Sequence, residues 1–222
     1  KRINAEQNTM IIFTSDNGCS KAAGINKLAE QGHLVSANLR GSKADLWDGG
    51  HRIPFIVKWP GKVKPGVQSD QLICLTDLFA TISNLLGQEL PKNAAEDSVS
   101  FLPAFYGKKI VSTRKGVIHH SISGHFAYRQ GPWKLLLAKA SGGWSSPNER
   151  QAPAGSPPGQ LYNMSTDLGE KKNLYEEKPE MVASLLALLE KDIKRGRSTK
   201  GPKSKNDLND IKIWKSGQPK KK

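Results

Sequence analysis

Asp16 and Asn17 set a carboxylate beside a carboxamide, two hard oxygen donors of the kind that hold Ca²⁺ or Mg²⁺. They follow the apolar run Met10-Ile11-Ile12-Phe13 and the small polar pair Thr14-Ser15, and Gly18 comes next. This pattern reads as a buried strand that stops abruptly, and ligands of open α/β sheets gather beyond the carboxyl ends of strands. Asp-Asn-Gly is also good turn chemistry, so an Asx-type cap on the strand is the plainer alternative. Further along stands Arg40-Gly41-Ser42-Lys43-Ala44-Asp45-Leu46-Trp47-Asp48-Gly49-Gly50-His51-Arg52, leading into a second apolar run from Ile53 to Trp59. Lys43 offers a compact point charge on a long stem, suited to anionic oxygens, although a single loop lysine is ordinarily surface.

Three histidines invite scrutiny. His33 lies between the Asp16–Asn17 pair and Lys43, and His119 and His120 follow directly on a short strand. Structural roles, hydrogen-bonded or in loops, compete with functional ones for each. Arg52 is expected to hold its strand through carboxylate or carbonyl contacts. Trp144, in Gly142-Gly143-Trp144, either stacks on a sugar ring or packs on its own domain.

Taken together, in this order and separation, the two blocks resemble the type I sulfatases of the alkaline-phosphatase-like superfamily. Those enzymes carry a strand ending in Ser/Thr-Asp-Asn-Gly, then Gly-x-Lys-x-x-x-(Trp/Phe)-(Glu/Asp)-Gly-Gly-x-Arg-(Ile/Val)-Pro. The resemblance continues through Ala95 to Ser100, His119-His120-Ser121, Arg129 to Leu135 and Gln160-Leu161-Tyr162-Asn163. It implies that Asp16 and Asn17 ligate a divalent cation, Ca²⁺ first and Mg²⁺ as the alternative. It implies that Lys43 is catalytic, meeting the sulfate or leaving oxygens, and that His33, His119 and His120 contact substrate. The substrate would be a sulfated small molecule or glycan, and the location periplasmic or secreted.

The resemblance also implies a formylglycine nucleophile, made from Cys/Ser-x-Pro-x-Arg, which this sequence lacks. Its cysteines stand in Cys19-Ser20-Lys21 and Cys74-Leu75-Thr76, and no Asp-Asp pair occurs. The chain is therefore expected to be the carboxyl-terminal part of a sulfatase, inactive alone, with formylglycine in the missing amino-terminal part. The alternatives are a phosphoester hydrolase of the same superfamily, which the Lys43 to Pro54 segment argues against, and a non-catalytic polyanion-binding protein.

Composition sets broader bounds. The 222 residues carry 34 Lys and Arg against 20 Asp and Glu, a formal charge of +14, which favours polyanionic partners. Much of the excess lies beyond Lys191, where a solvated, disordered extension is expected ahead of specific nucleic-acid binding. Two cysteines define no disulfide framework, no apolar stretch is long enough to span a bilayer, and nothing in the pattern dictates an oligomeric state.

The positioning elements read as follows. An α/β region, part of an alkaline-phosphatase-like mixed sheet flanked by helices, is expected over residues 1–107. The stretch from Gly18 to Gly41 is too weakly patterned for a firm element. Thr76 is placed to cap a helix stopping at Gly87, with Leu78, Phe79, Ile82, Leu85 and Leu86 facing the core and Asp77 confined to an electrostatic role in the first turn. A small antiparallel sheet with a packed helix is expected over 108–196: strands at Val117-Ile118, Phe126 to Gln130, Trp133 to Leu137 and Leu161-Tyr162, then a helix from Pro179 to Gly196. Residues between Ser141 and Gln160 are expected to form a mobile loop, and residues 197–222 the basic tail.

Overall fold

The strand before Asp16 forms as β1 (Ile11–Thr14), and it pairs antiparallel with β2 (Phe55–Lys58), Ile11 opposite Lys58 and Thr14 opposite Phe55. This computed structural model describes residues 3–112 and 114–215, so the terminal Lys220-Lys221-Lys222 of the expected tail lies outside the described residues. The chain divides into two compact units built from alternating stretches. One comprises Lys1–Ser15, Pro54–Val117 and Asp192–Asp207; the other comprises Asp16–Ile53, Ile118–Lys191 and Leu208–Lys222. The sequence pattern divides the chain near Gly107 and again after Gly196.

In the first unit, the β1–β2 ribbon corrects the expectation of a buried strand. Both faces of β1 are apolar, yet Ile11, Phe13 and Ile56 face solvent while Ile12 and Val57 are half-buried on the other side. Phe55 meets Phe101 edge-on at 5.3 Å between centroids, and Phe101 meets Phe105 of α3 (Leu102–Phe105) at 5.6 Å.

Helix α2 (Asp77–Leu85) forms as its periodicity demands but is rotated, so that Leu78, Ile82 and Leu85 of the expected stripe are only half-buried. Asp77, Ala80 and Thr81 are buried, whereas Phe79 and Leu86 are 52% and 66% exposed. Asp77 decides the rotation. Its carboxylate takes both terminal nitrogens of the buried Arg114, at 2.5 and 2.7 Å, and accepts the N–H groups of Cys74 and Val99, each at 2.9 Å. A buried charge needs all of these partners, so the helix rolls to supply them. The Thr76 side chain makes no capping bond. At the far end of this unit Arg197, Ser198 and Thr199 are buried; Ser198 donates its N–H to Asp97, and the Thr199 hydroxyl donates to the Glu96 carbonyl. The opening residues of the expected tail are thus built into the fold.

The second unit holds the sheet β3 (Val117–His120), β4 (Phe126–Gln130), β5 (Trp133–Leu136) and β6 (Gln160–Asn163), in that spatial order. β4 and β5 pair antiparallel across the Gly131-Pro132 turn, with Gln130 opposite Trp133, and β5 pairs antiparallel with β6. Leu46 and Trp47 pack with Ala127, Leu136, Ala138, Tyr162 and Met164 into one core. Gln160 serves the polar groups there: its Oε1 accepts from Trp47 Nε1 and the Tyr162 hydroxyl, and its amide nitrogen donates to the carbonyls of Ala138 and Ala140.

Three expectations are refined here. The stretch between Gly18 and Gly41 contains a short helix, α1 (Ile25–Glu30). The helix begun by Pro179, α4 (Pro179–Arg195), buries Val182, Leu185 and Leu189 and stops at Gly196, whose φ of +65° suits glycine. The loop after Ser141 has no regular element, yet it is held: Glu149 accepts the N–H groups of Lys139, Ala140 and Gly142. Among the described residues no helix is long and apolar enough to cross a membrane.

Candidate active site

The loop that follows β1 and the segment carrying Lys43 are clasped backbone to backbone. Gly18 donates its N–H to the Gly50 carbonyl at 2.8 Å, and Lys43 donates its own to the Cys19 carbonyl at 2.9 Å. The approach is too close for any side chain at position 18, where a Cβ would fall 1.8 Å from the Gly49 carbonyl oxygen. Asp-Asn-Gly at the strand end is therefore more than a generic turn: its glycine is the surface against which the Gly49-Gly50 turn rests.

Asp45 fixes the Lys43 loop from inside. Buried at 2% exposure, it accepts the Ser42 N–H through Oδ2 at 2.8 Å and the N–H groups of Trp144 and Ser145 through Oδ1 at 2.8 and 3.0 Å. One carboxylate thus ties the residue before Lys43 to a loop about a hundred positions later. Leu46 donates to the Ser141 carbonyl at 2.8 Å, completing the seam.

Behind this loop lies an ion cluster whose centre, Lys134, Glu170 and Asp48, is shielded from water. Lys134 places Nζ 2.7 Å from Asp48 Oδ1 and 2.7 Å from Glu170 Oε1, while Glu170 Oε2 accepts the Asp48 N–H at 2.6 Å. Arg52 and Arg129 stand 3.6 and 3.8 Å from Asp48 Oδ2. Arg52 therefore makes the carboxylate contact expected of it. Burial alone would raise the Asp48 carboxyl, but its bond with His51 and the Lys134 ammonium outweigh that and hold it far below the usual carboxylate range. Burial prevails at Glu170, whose carboxyl is raised despite Lys134. Arg40 completes the frame, donating to the Glu170 carbonyl at 2.8 Å and lying 3.6 Å over the Trp47 ring.

The histidines separate by position. His119 donates through Nε2 to the Leu46 carbonyl at 3.3 Å and lies against His51, with ring centroids 3.8 Å apart and the planes tilted by 39°. Burial, then the proximity of His51 and Lys134, pushes His119 well below the usual imidazole value; burial and Lys134 lower His51 as well. His120 is exposed and meets Phe126 edge-on at 4.2 Å. His33 sits on the exposed turn after α1, its N–H bonded to the Leu28 carbonyl.

Asp16 is exposed, while Asn17 and Lys43 are half-buried. The donor chemistry of Asp16 and Asn17 fits a hard cation, as two of the roughly six to eight oxygens that Ca²⁺ takes. Among the described residues no cluster of three or more His, Cys, Asp or Glu is arranged to hold a metal. Asp45, Lys134 and Glu170 were not singled out from sequence. Lys134 did leave a signal, a lone charge inside the strand Trp133-Lys134-Leu135-Leu136.

Comparison with known proteins gives one consistent direction. The sulfatase family model matches residues 2–88. An N-acetylgalactosamine-6-O-sulfatase of Bacteroides thetaiotaomicron is 38% identical over 192 residues, covering 82% of this chain and 36% of the relative. Arylsulfatase G of Rattus norvegicus is 28% identical, covering 79% of this chain and 35% of the relative. The chain thus spans about a third of the length of these curated relatives. A solved structure from work on the metabolism of multiple glycosaminoglycans by Bacteroides thetaiotaomicron superposes with a TM-score of 0.72 at 33% identity, covering 86% of this chain and 40% of that one.

Proposed function

Because this chain belongs to the sulfatase family over the stretch it spans, we propose that it supplies part of the active site of an enzyme hydrolysing sulfate esters of carbohydrates. The observation that carries the reading is the clasp between the Asp16–Cys19 loop and the Lys43–Gly50 segment, which holds two oxygen donors and an ammonium-bearing residue on one framework. In this reading Asp16 and Asn17 give two ligands to a divalent cation, Ca²⁺ ahead of Mg²⁺. Bound there, the cation supplies electrostatic stabilisation of the sulfate group. Lys43 meets the sulfate oxygens or the departing oxygen, where charge grows in the transition state. In the same reading His33, His119 and His120 contact the substrate. The formylglycine that performs the covalent step in this family has no precursor motif in this sequence, so residues outside it provide that nucleophile. The carbohydrate class is supported by the name of the N-acetylgalactosamine-6-O-sulfatase relative.

Steady-state kinetics of the whole protein carrying this chain, on an aryl sulfate and on N-acetylgalactosamine 6-sulfate, test the reading. Lys43→Ala is expected to lower kcat by about 10²–10³ with a smaller change in KM. Lys43→Arg recovers only part, since a planar fork does not reproduce a point charge. The chain by itself turns over neither substrate. An unchanged kcat in Lys43→Ala removes Lys43 from the site, and faster turnover of the corresponding phosphate ester selects the phosphoester hydrolase instead.

A further inference from the structure

Two loops of the second unit converge on the residues flanking Lys43, and each leaves a large apolar side chain in water. Trp144 is 48% exposed and Ile122 is 61% exposed. Neither loop is slack. Ile122 donates its N–H to the Ala44 carbonyl at 3.0 Å. Trp144 is gripped at both ends of its own backbone: its N–H goes to Asp45 Oδ1, and its carbonyl accepts from Lys21 Nζ. Ser145 donates to the same Asp45 oxygen, and its hydroxyl lies 3.2 Å from that of Ser42. Beside them Gly143 touches the Ala44 carbonyl so closely that a Cβ would come within 2.3 Å of its oxygen.

The loop is therefore built to hold the Trp144 backbone rigidly while about half of the residue stays in water. A tryptophan held in this way gains less for the fold than a buried one, because much of its apolar area stays hydrated. The same arrangement favours a ligand, since a preorganised ring loses little freedom on binding. The faces of a pyranose carry C–H groups that pack on a flat aromatic surface, while its sulfate would be directed to the charged groups nearby.

We propose that Trp144, anchored beside Lys43 through Asp45, is the stacking platform for the pyranose ring that bears the sulfate, and so a determinant of specificity for sulfated sugars. The proposal rests on the reading of this site as one that accepts a sulfate ester. It assigns Trp144 to the sugar ring and leaves the sulfate to Lys43 and the cation.

The test is an NMR titration of the whole protein carrying this chain with N-acetylgalactosamine 6-sulfate and, separately, with methyl sulfate, which has no ring. Trp144→Ala is expected to weaken sugar-sulfate binding about tenfold and leave methyl sulfate binding unchanged. Trp144→Phe should restore most of the affinity. Unchanged methyl sulfate binding in Trp144→Ala separates the loss of the ring from any loss of stability caused by removing its covered half. Wild-type affinity for the sugar sulfate in Trp144→Ala overturns the proposal, and so does an equal loss on methyl sulfate. Failure of the hydrolase reading looks different: binding that depends on Trp144, with no turnover of any sulfate ester by the wild type.

Discussion

Lys134 and Glu170 meet at 2.7 Å with both side chains wholly withdrawn from water, and the same ammonium reaches Asp48 at 2.7 Å. Desolvating three charges is costly, so the cluster persists because each oxygen and proton has a partner. Its members join β5, the turn after β6 and the Gly49-Gly50 turn that rests on Gly18.

Removing the cation alone should thus be severe. Lys134→Met leaves Glu170 and Asp48 facing each other without their shared ammonium, and a loss on the order of 3–5 kcal/mol is expected from broken buried pairs. Adding Glu170→Met to that variant should recover part of the loss, because an apolar pair of similar volume needs no charge partner. Urea unfolding followed by circular dichroism measures both, and a Lys134→Met chain as stable as wild type would contradict the cluster.

Helix α2 offers a contrast between periodicity and contact. Asp77→Ala strands the buried Arg114 guanidinium and should cost about 3–5 kcal/mol. Leu86→Ala, at a position that is 66% exposed, should fall within about 0.5 kcal/mol of wild type. Chemical denaturation of the two variants side by side decides the matter; the reverse ranking would return the apolar stripe to the core.

Acid should loosen the second unit. His51 and His119 have folded values below their usual one near 6.5, so below about pH 6.5 the unfolded chain binds more protons than the folded one. Stability is then lost as pH falls, while the raised Glu170 acts in the opposite sense, contributing stability that is lost as pH rises through its raised value. Melting temperatures between pH 7.5 and 5 should fall for wild type and fall less for the double variant His51→Gln, His119→Gln. Parallel profiles for the two proteins would remove the histidine pair as the cause.

Much of the scaffold was legible because it rests on local rules. The Gly131-Pro132 turn between two β-rich runs marks the β4–β5 hairpin, and the stripe through Val182, Leu185 and Leu189 marks α4. The residues that bring the site together were not legible in the same way. Asp45 and Glu170 are polar residues in irregular segments, and nothing local says that each will be buried by partners far along the chain. The rotation of α2 was missed for a related reason: one buried ion pair outweighed an apolar stripe. The loop after Ser141 reads as mobile from its Gly, Ser and Pro content, but composition cannot register that its Glu149 anchors it to Lys139 and Ala140 or that Asp45 collects the N–H groups of Trp144 and Ser145.

The seam that fixes Lys43 also sets a timetable. Asp45 finds Trp144 across 99 positions, and Asp48 finds Lys134 across 86 and Glu170 across 122. Closing such loops costs chain entropy before any bond repays it, so the Lys43 segment can be locked only late in folding. On a ribosome that delivers the chain from its amino end, Asp16, Asn17 and Lys43 emerge long before the residues that anchor their framework. Until Lys134 and Glu170 have been made, Asp48 and the loop around it must wait in water.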